Sequence, residues 1–327
     1  FCFQSPERIM RKLSFLVLII ALLFFSSFQN AFASHTTSVE LLRLTSGFYR
    51  EDWPAIYKDK ILWVAEGIIY IHDVKEKTTS PFFEGTQPLT NFYALIAYDG
   101  RYIIYNQYDG VSYNASVYDT KKRKDIPITS GAGSHWATDY DNKTVAYIDG
   151  GVCGKLYAYD IVREKANLVT ENACGSAKIS KDIIVWTFGS NIYGYDLKKD
   201  EIFLITDNGG HPDIYKDNAV WLHAEAGFTE IHLKNLNNSK SKILHRTSEY
   251  GITYPAISNR YVIWGKTTAQ DVAGLEGIDL ITGEVFEIQE QGPHQNGVIS
   301  PTIAGNVAAW MAWRTGNGDI YGAEFSK

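Results

Sequence analysis

The sequence predicts an all-β fold, a seven-bladed β-propeller with four-stranded blades, from three observations. An aromatic residue stands at one register position of seven successive units, as Trp63, Tyr105, Tyr147, Trp186, Trp221, Trp264 and Trp310. The intervals are 42, 42, 39, 35, 43 and 46 residues, the period of a four-stranded blade. Each aromatic follows a short polar pair by three to five residues, and each unit carries an acid or amide at the end of its third strand.

The units, numbered I to VII by these aromatics, have a common frame of strands a to d. Seven residues before the aromatic stands Ile56, Tyr98, Tyr140, Ile179, Ile214, Ile257 or Ile303. Pro54, Pro212, Pro255 and Pro301 precede four of these positions by two residues, a spacing that suits proline at the first position of a strand. Between strand a and the aromatic lie pairs such as Asp99-Gly100, Asp141-Asn142 and Gly305-Asn306. Asp, Asn and Gly tolerate positive φ, so each unit opens with an a–b hairpin. Strand c ends at Asp73, Asp119, Asp160, Asp196, Asn235, Asp279 or Glu324. Seven copies argue against catalysis; these side chains are expected to cap the c–d turn.

The last unit stops without a fourth strand, and Glu40–Gly47 resembles the d strands ending at Thr129 and Thr206. The N-terminal strand is therefore expected to complete the last blade and close the ring, which removes an exposed sheet edge. That accounts for residues 34–327 as one domain.

Before it lies a targeting pattern. Met10-Arg11-Lys12 gives a positive start, Leu13–Phe25 is apolar except for Ser14, and Ala31-Phe32-Ala33 offers a small-x-small site. The run is shorter than a spanning helix needs, so residues 1–33 read as a leader cleaved after Ala33. The expectation is a secreted, periplasmic or cell-surface protein with no stable membrane span after cleavage. Loss of Glu7, Arg8, Arg11 and Lys12 takes the formal charge from −6 to −8. A nucleic-acid partner is excluded on this charge. Cys153 and Cys174 remain, and an exported chain with two cysteines is expected to pair them.

The frame of Pro-x-Ile, Val/Ile-Trp, Asp-Ile-Tyr and Leu-Ile-Thr, clearest in Asn191–Asp196 and Gly318–Tyr321, resembles the TolB-like propeller repeats of prokaryotic exported and surface proteins. The resemblance covers the mature chain and implies a fold. It does not imply one function, because propellers host binding, scaffolding and catalysis alike.

Strand order sends the d–a and b–c connections to one face and the stereotyped a–b and c–d turns to the other. Variable loops on a rigid scaffold are the usual place for recognition. On that face the candidate ligand-binding residues are Trp53, His135, Trp136, His211, His223, Tyr254, His294 and Gln295. Aromatic faces beside hydrogen-bonding groups suit a saccharide or a protein partner. No cofactor is needed for that reading.

Two alternatives stay open. His135, His211 and His294 head units III, V and VII, and three imidazoles could hold one transition-metal ion. Oligogalacturonate lyases, related propellers, set His and Gln around a metal, and Gln295 would complete such a set. Lys266 is then the candidate basic group of a metal-dependent polysaccharide lyase. Against it, the three histidines stand 12, 10 and 16 residues before their aromatics, so they do not share a register. The other alternative is a structural surface subunit. No nucleophile elbow, phosphate-cradling loop or EF-hand motif is present.

Overall fold

Short apolar runs punctuated by Asp-, Asn- and Gly-bearing turns fold into antiparallel meanders. The computed structural model describes residues 37–45, 51–85, 88–89, 91–267, 273–289, 298–313 and 318–326, with the backbone alone at 51–53, 273, 298–300 and 313. The leader, the Ala33 cleavage position, His294 and Gln295 lie outside the described residues. Residues Ser38–Ser326 form one compact unit. Among the described residues every regular element is a strand, and no helix is long and apolar enough to cross a membrane.

The first strand, β1 (Ser38–Arg43), belongs to the last sheet. Unit I comprises β2 (Glu51–Tyr57), β3 (Lys60–Ala65), β4 (Ile68–Asp73) and β5 (Thr78–Pro81). Unit II comprises β6 (Phe92–Tyr98), β7 (Tyr102–Tyr108), β8 (Tyr113–Asp119) and β9 (Lys124–Pro127). Units III and IV share a strand: β10 (His135–Asp141), β11 (Thr144–Asp149), β12 (Cys153–Asp160), β13 (Lys165–Ser180), β14 (Ile183–Phe188), β15 (Asn191–Asp196) and β16 (Glu201–Thr206). Unit V has β17 (Gly210–Tyr215), β18 (Asn218–Glu225), β19 (Phe228–Asn235) and β20 (Ser241–Thr247). Unit VI has β21 (Gly251–Ile257), β22 (Tyr261–Thr267), β23 (Ala273–Asp279) and β24 (Val285–Gln289). Unit VII has β25 (Val298–Ala304), β26 (Val307–Trp313) and β27 (Gly318–Ser326), and β1 pairs with β27 from Ser38↔Ser326 to Arg43↔Tyr321.

The expected four-stranded pattern holds in five sheets and is modified in the sixth, which has seven strands. The 16-residue β13 pairs with β12 through Cys174 and with β14 from Cys174 to Ser180. It therefore serves as strand d of unit III and strand a of unit IV. No proline interrupts it, so no break separates the two roles.

Each register aromatic lies on the second strand of its unit and is buried. Five stack on the residue directly across the ladder: Trp63 on Tyr70, Tyr147 on Tyr157, Trp186 on Tyr193, Trp221 on His232 and Trp310 on Tyr321. Their ring centroids are 5.0 to 6.0 Å apart. Cross-strand aromatic pairs stabilise a sheet face beyond simple burial. Between sheets the core is a series of apolar clusters. Leu62 and Val64 meet Leu95 and Tyr105 between units I and II, and five more clusters join each later unit to the next. A seventh packs Ile61 and Trp63 of unit I with Val307, Ala309 and Ile320 of unit VII.

The turn caps behave as expected in six units. Asp73, Asp119, Asp160, Asp196, Asn235 and Asp279 each accept backbone N–H groups two and three residues ahead. Glu324 accepts from the Asn306 side chain instead, and β27 runs on past it to Ser326. The prolines differ from expectation. Pro54, Pro212, Pro255 and Pro301 sit inside their strands, within register shifts such as Gly210/Asp213 and Thr253/Ala256. A bulge leaves one residue out of the ladder, so the missing proline N–H goes unmissed.

Candidate functional site

On the face of the d–a and b–c connections, units II and III bring four aromatic rings together. Tyr93 begins strand a of unit II, Tyr108 and Tyr113 flank its b–c turn, and Trp136 begins strand a of unit III. Tyr93 lies edge-on to Tyr108, Tyr113 and Trp136 at 5.9, 5.0 and 5.7 Å. Tyr108 stacks on Tyr113 at 4.6 Å, and Tyr113 meets Trp136 edge-on at 5.1 Å. Offset and edge-to-face contacts of this kind are the favoured geometries of aromatic pairs.

The backbone fixes the cluster. Tyr108 and Tyr113 are cross-strand partners, and the Asp109 carboxylate closes their turn by accepting the N–H groups of Val111 and Ser112 at 2.9 and 2.7 Å. Those N–H groups, Ser112 first, hold the Asp109 carboxyl below its usual range. The unit III loops dock alongside. Tyr113 N–H donates to Gly133 O, and Gly150 N–H donates to Ser134 O. The Tyr113 phenol is raised first by its hydrogen bond with Tyr93 and then by burial.

Tyr93 and Tyr108 stay exposed, and Val111 and Val152, at the tips of adjacent b–c loops, are 85% and 81% exposed. Behind Val152, Cys153 and Cys174 are joined by a disulfide. They are direct cross-strand partners on β12 and β13, so both lie in strands rather than in connections. The segments 91–93, 107–114, 130–136 and 149–153 that carry this surface hold Asp109 and Asp149 and neither lysine nor arginine.

The other expected site residues are dispersed. His135 faces Asp149, Nε2 to Oδ1 3.3 Å. His223 has both nitrogens engaged, Nδ1 with Asn208 O at 3.3 Å and Nε2 with Glu225 at 3.1 Å. His211 is exposed and lies edge-on to Tyr254 at 4.8 Å. Both residues precede bulge prolines and have positive φ, 52° and 42°, an uncommon and strained conformation for such side chains. Although the residue is exposed overall, partial desolvation of its ring depresses the His211 imidazole. Only the backbone of Trp53 is described. His135 and His211 belong to units III and V, with unit IV between them. Among the described residues no group of three or more His, Cys, Asp or Glu side chains converges as a metal site would require.

Lys266 is no free base. Its ammonium donates to Glu276 at 2.7 Å and lies 3.6 Å from Glu287. Burial, the largest single influence, pushes its pKa down, but the two carboxylates outweigh it and leave it raised. Glu276 also accepts from Tyr250 OH at 2.6 Å.

Two features escaped the sequence reading. Tyr108 and Tyr113 became visible through the b–c register, which pairs them across one short turn. Asp139, Lys178 and Asp213 occupy the position before the apolar residue of strand a in units III, IV and V, where the other units have Ala55, Ala97, Ala256 and Thr302. Asp139 accepts Ile179 N–H and Asp213 accepts Ile257 N–H, both at 2.8 Å, each tying strand a of one unit to the next. The three are surrounded by protein, yet each keeps some solvent contact. Burial raises Asp139 to about 6, Lys178 opposing and Asp213 adding to the shift.

No protein-family model matches the chain, and no curated protein matches it. Solved structures do. The β-propeller domain of the Trilobed protease from Pyrococcus furiosus aligns with a TM-score of 0.63 at 10% identity, over 86% of this chain and 96% of that one. That domain has an open velcro topology; here β1 pairs with β27. The acylaminoacyl peptidase of Pyrococcus horikoshii aligns with a TM-score of 0.61 at 11% identity, over 81% of this chain and 49% of that one. PorZ, a surface component of the type-IX secretion system of Porphyromonas gingivalis, gives 0.52 at 12% identity, over 83% and 36%. This chain thus spans about half of the peptidase and about a third of PorZ. The fold is that of the β-propeller proteins.

Proposed function

We propose that this protein is an exported binding module. On this reading it is a TolB-like propeller of seven blades, closed by β1, that is secreted, periplasmic or surface-bound after cleavage at Ala33. Its d–a/b–c face takes a partner protein, or a saccharide or other envelope polymer, without a cofactor. The observation that carries the reading is the four-ring surface of Tyr93, Tyr108, Tyr113 and Trp136. Rigid, part-exposed aromatic rings give large contact area at low entropic cost. Val111 and Val152 extend the apolar surface beyond the rings, as at protein-interaction patches. Apolar tips of that kind favour a protein partner over a polyhydroxylated chain. The carboxylates of Asp109 and Asp149, with no cation in the same segments, favour a neutral or basic ligand.

The test replaces Tyr93, Tyr108 and Trp136 together by alanine. Retention on immobilised neutral, basic and acidic polysaccharides and on a solubilised envelope-protein fraction is compared with wild type. Binding that disappears while thermal unfolding stays cooperative is the expected result. Retention unchanged in the triple variant rejects this surface as the site.

A further inference from the structure

The outer strands of the sheets differ in how their free edges are guarded. An unpaired edge offers N–H and C=O groups to any other strand, and proteins blunt it with proline, charge or a short length. Here β5 and β9 are four residues long and end in Pro81 and Pro127. β20 carries Lys242 and Arg246. β24 carries Glu287 in its middle, and β1 carries Glu40 and Arg43.

β16 is different. Its sequence is Glu-Ile-Phe-Leu-Ile-Thr, with one charge at its first position and no proline. It stands at the end of its sheet, bonded to β15 alone among the described strands. Ile202 and Leu204 are 45% and 51% exposed, and being two residues apart they share one face. Phe203, between them, turns inward onto Gly194, where a Cβ would come within 2.3 Å of its ring.

We propose that β16 pairs, antiparallel, with β16 of a second copy of this chain, about a two-fold axis through Phe203. The register follows from the sequence. Reversal about Phe203 sets Ile202 against the partner's Leu204 and Leu204 against the partner's Ile202. Each exposed apolar side chain thereby gains an apolar neighbour on its own face. In an antiparallel ladder residues of equal parity send their polar groups to the same edge, so Ile202 and Leu204 act together. The contact is self-complementary, as a two-fold interface must be. No like charges oppose one another within the strand. Glu201 meets the partner's Ile205, and the exposed turn lysines Lys198 and Lys199 come to the end where the partner's Asp207 emerges. A foreign strand would require none of this symmetry. Lys234 donates to Ile205 O at 2.8 Å, which limits the shared ladder to the residues around Phe203. So short a contact predicts a weak, concentration-dependent dimer.

Two experiments on the purified protein test this. Light scattering across a concentration series should show wild type passing from monomer to dimer, and Leu204→Lys should remain monomeric with its thermal unfolding unchanged. Under mild oxidation an equimolar mixture of Ile202→Cys and Leu204→Cys should give a covalent dimer, since directly paired positions lie about 5.5 Å apart between Cα atoms. Either variant alone should give none beyond wild type, because identical positions are offset by two residues and exceed the roughly 7 Å limit. A wild type monomeric throughout overturns the proposal. So does a dimer that survives Leu204→Lys, or single variants that cross-link as readily as the mixture.

Discussion

On the face of the a–b and c–d turns, six Asp or Asn side chains repeat one pair of hydrogen bonds. On the opposite face, the four-ring cluster of units II and III has no counterpart among the other described units, and His211 and Tyr254 hold positive φ directly before bulge prolines. The first face repeats because each turn solves the same problem, satisfying backbone N–H groups where a strand reverses. On the proposed function, the second varies because a ligand is met once. Where a repeat protein departs from its own repeat, the departure marks what the fold alone does not require.

This comparison predicts that repeated residues govern stability and unrepeated ones govern binding. The largest effect belongs to the register aromatics. Trp264→Ala should cost about 3–5 kcal/mol, because its side chain is wholly buried between sheets. Denaturant unfolding measures this, and ligand retention should persist at temperatures where the variant is folded. Next comes Asp279→Ala. Asp279 is buried, accepts from Arg260 at 2.6 and 3.0 Å and caps its turn. Its loss leaves the part-exposed Arg260 guanidinium without that carboxylate and should cost about 2 kcal/mol. Asp160→Ala, at an exposed copy of the same cap, should cost about 1 kcal/mol. Equal losses at the two sites would break the distinction between the cap itself and the buried ion pair.

The disulfide sharpens the comparison, since it is a stabilising device on the face proposed to bind. Cys153 and Cys174 are 21 residues apart, and opening a loop of that size should lower stability by about 3 kcal/mol. The double variant Cys153→Ala/Cys174→Ala, followed by thermal unfolding, checks this. The same variant should weaken ligand retention only modestly, because Tyr93, Tyr108 and Tyr113 are held by unit II.

Much of the scaffold is written at short range. The aromatic period, the a–b turn pairs and the strand-c caps are local, so a single unit displays them. The shared β13 is less visible, because nothing within Lys165–Ser180 marks where one unit's last strand becomes the next unit's first. Positive φ is also poorly signalled. It falls on Lys77, Arg123, Glu164 and Asp200 in the c–d turns, where only unit VI has the glycine, Gly283, that would announce it. The aromatic surface depends on which side chains of neighbouring units meet. Trp136 could be named from its loop, but Tyr108 and Tyr113 needed the register of β7 against β8.

Between the two faces, strand a carries a pH dependence, from Asp139. Its folded pKa is raised to about 6 by burial, with Asp213 adding to the shift and Lys178 and the Ile179 N–H opposing it. An unfolded aspartate titrates near 3.9. Between these values the folded state binds more protons than the unfolded, so stability falls as pH rises from about 4 to about 6 and levels off above. Asp139→Asn keeps an acceptor for Ile179 N–H but does not ionise. Its stability should match wild type near pH 4 and exceed it at pH 7, as read from denaturant unfolding across that range. Lys178 qualifies the expectation, because Asn removes one of its two carboxylate neighbours while Asp213 remains. A wild type that instead gains stability relative to Asp139→Asn as pH rises would mean that Lys178 outweighs burial. Asp139 would then be an ionised tie between units III and IV.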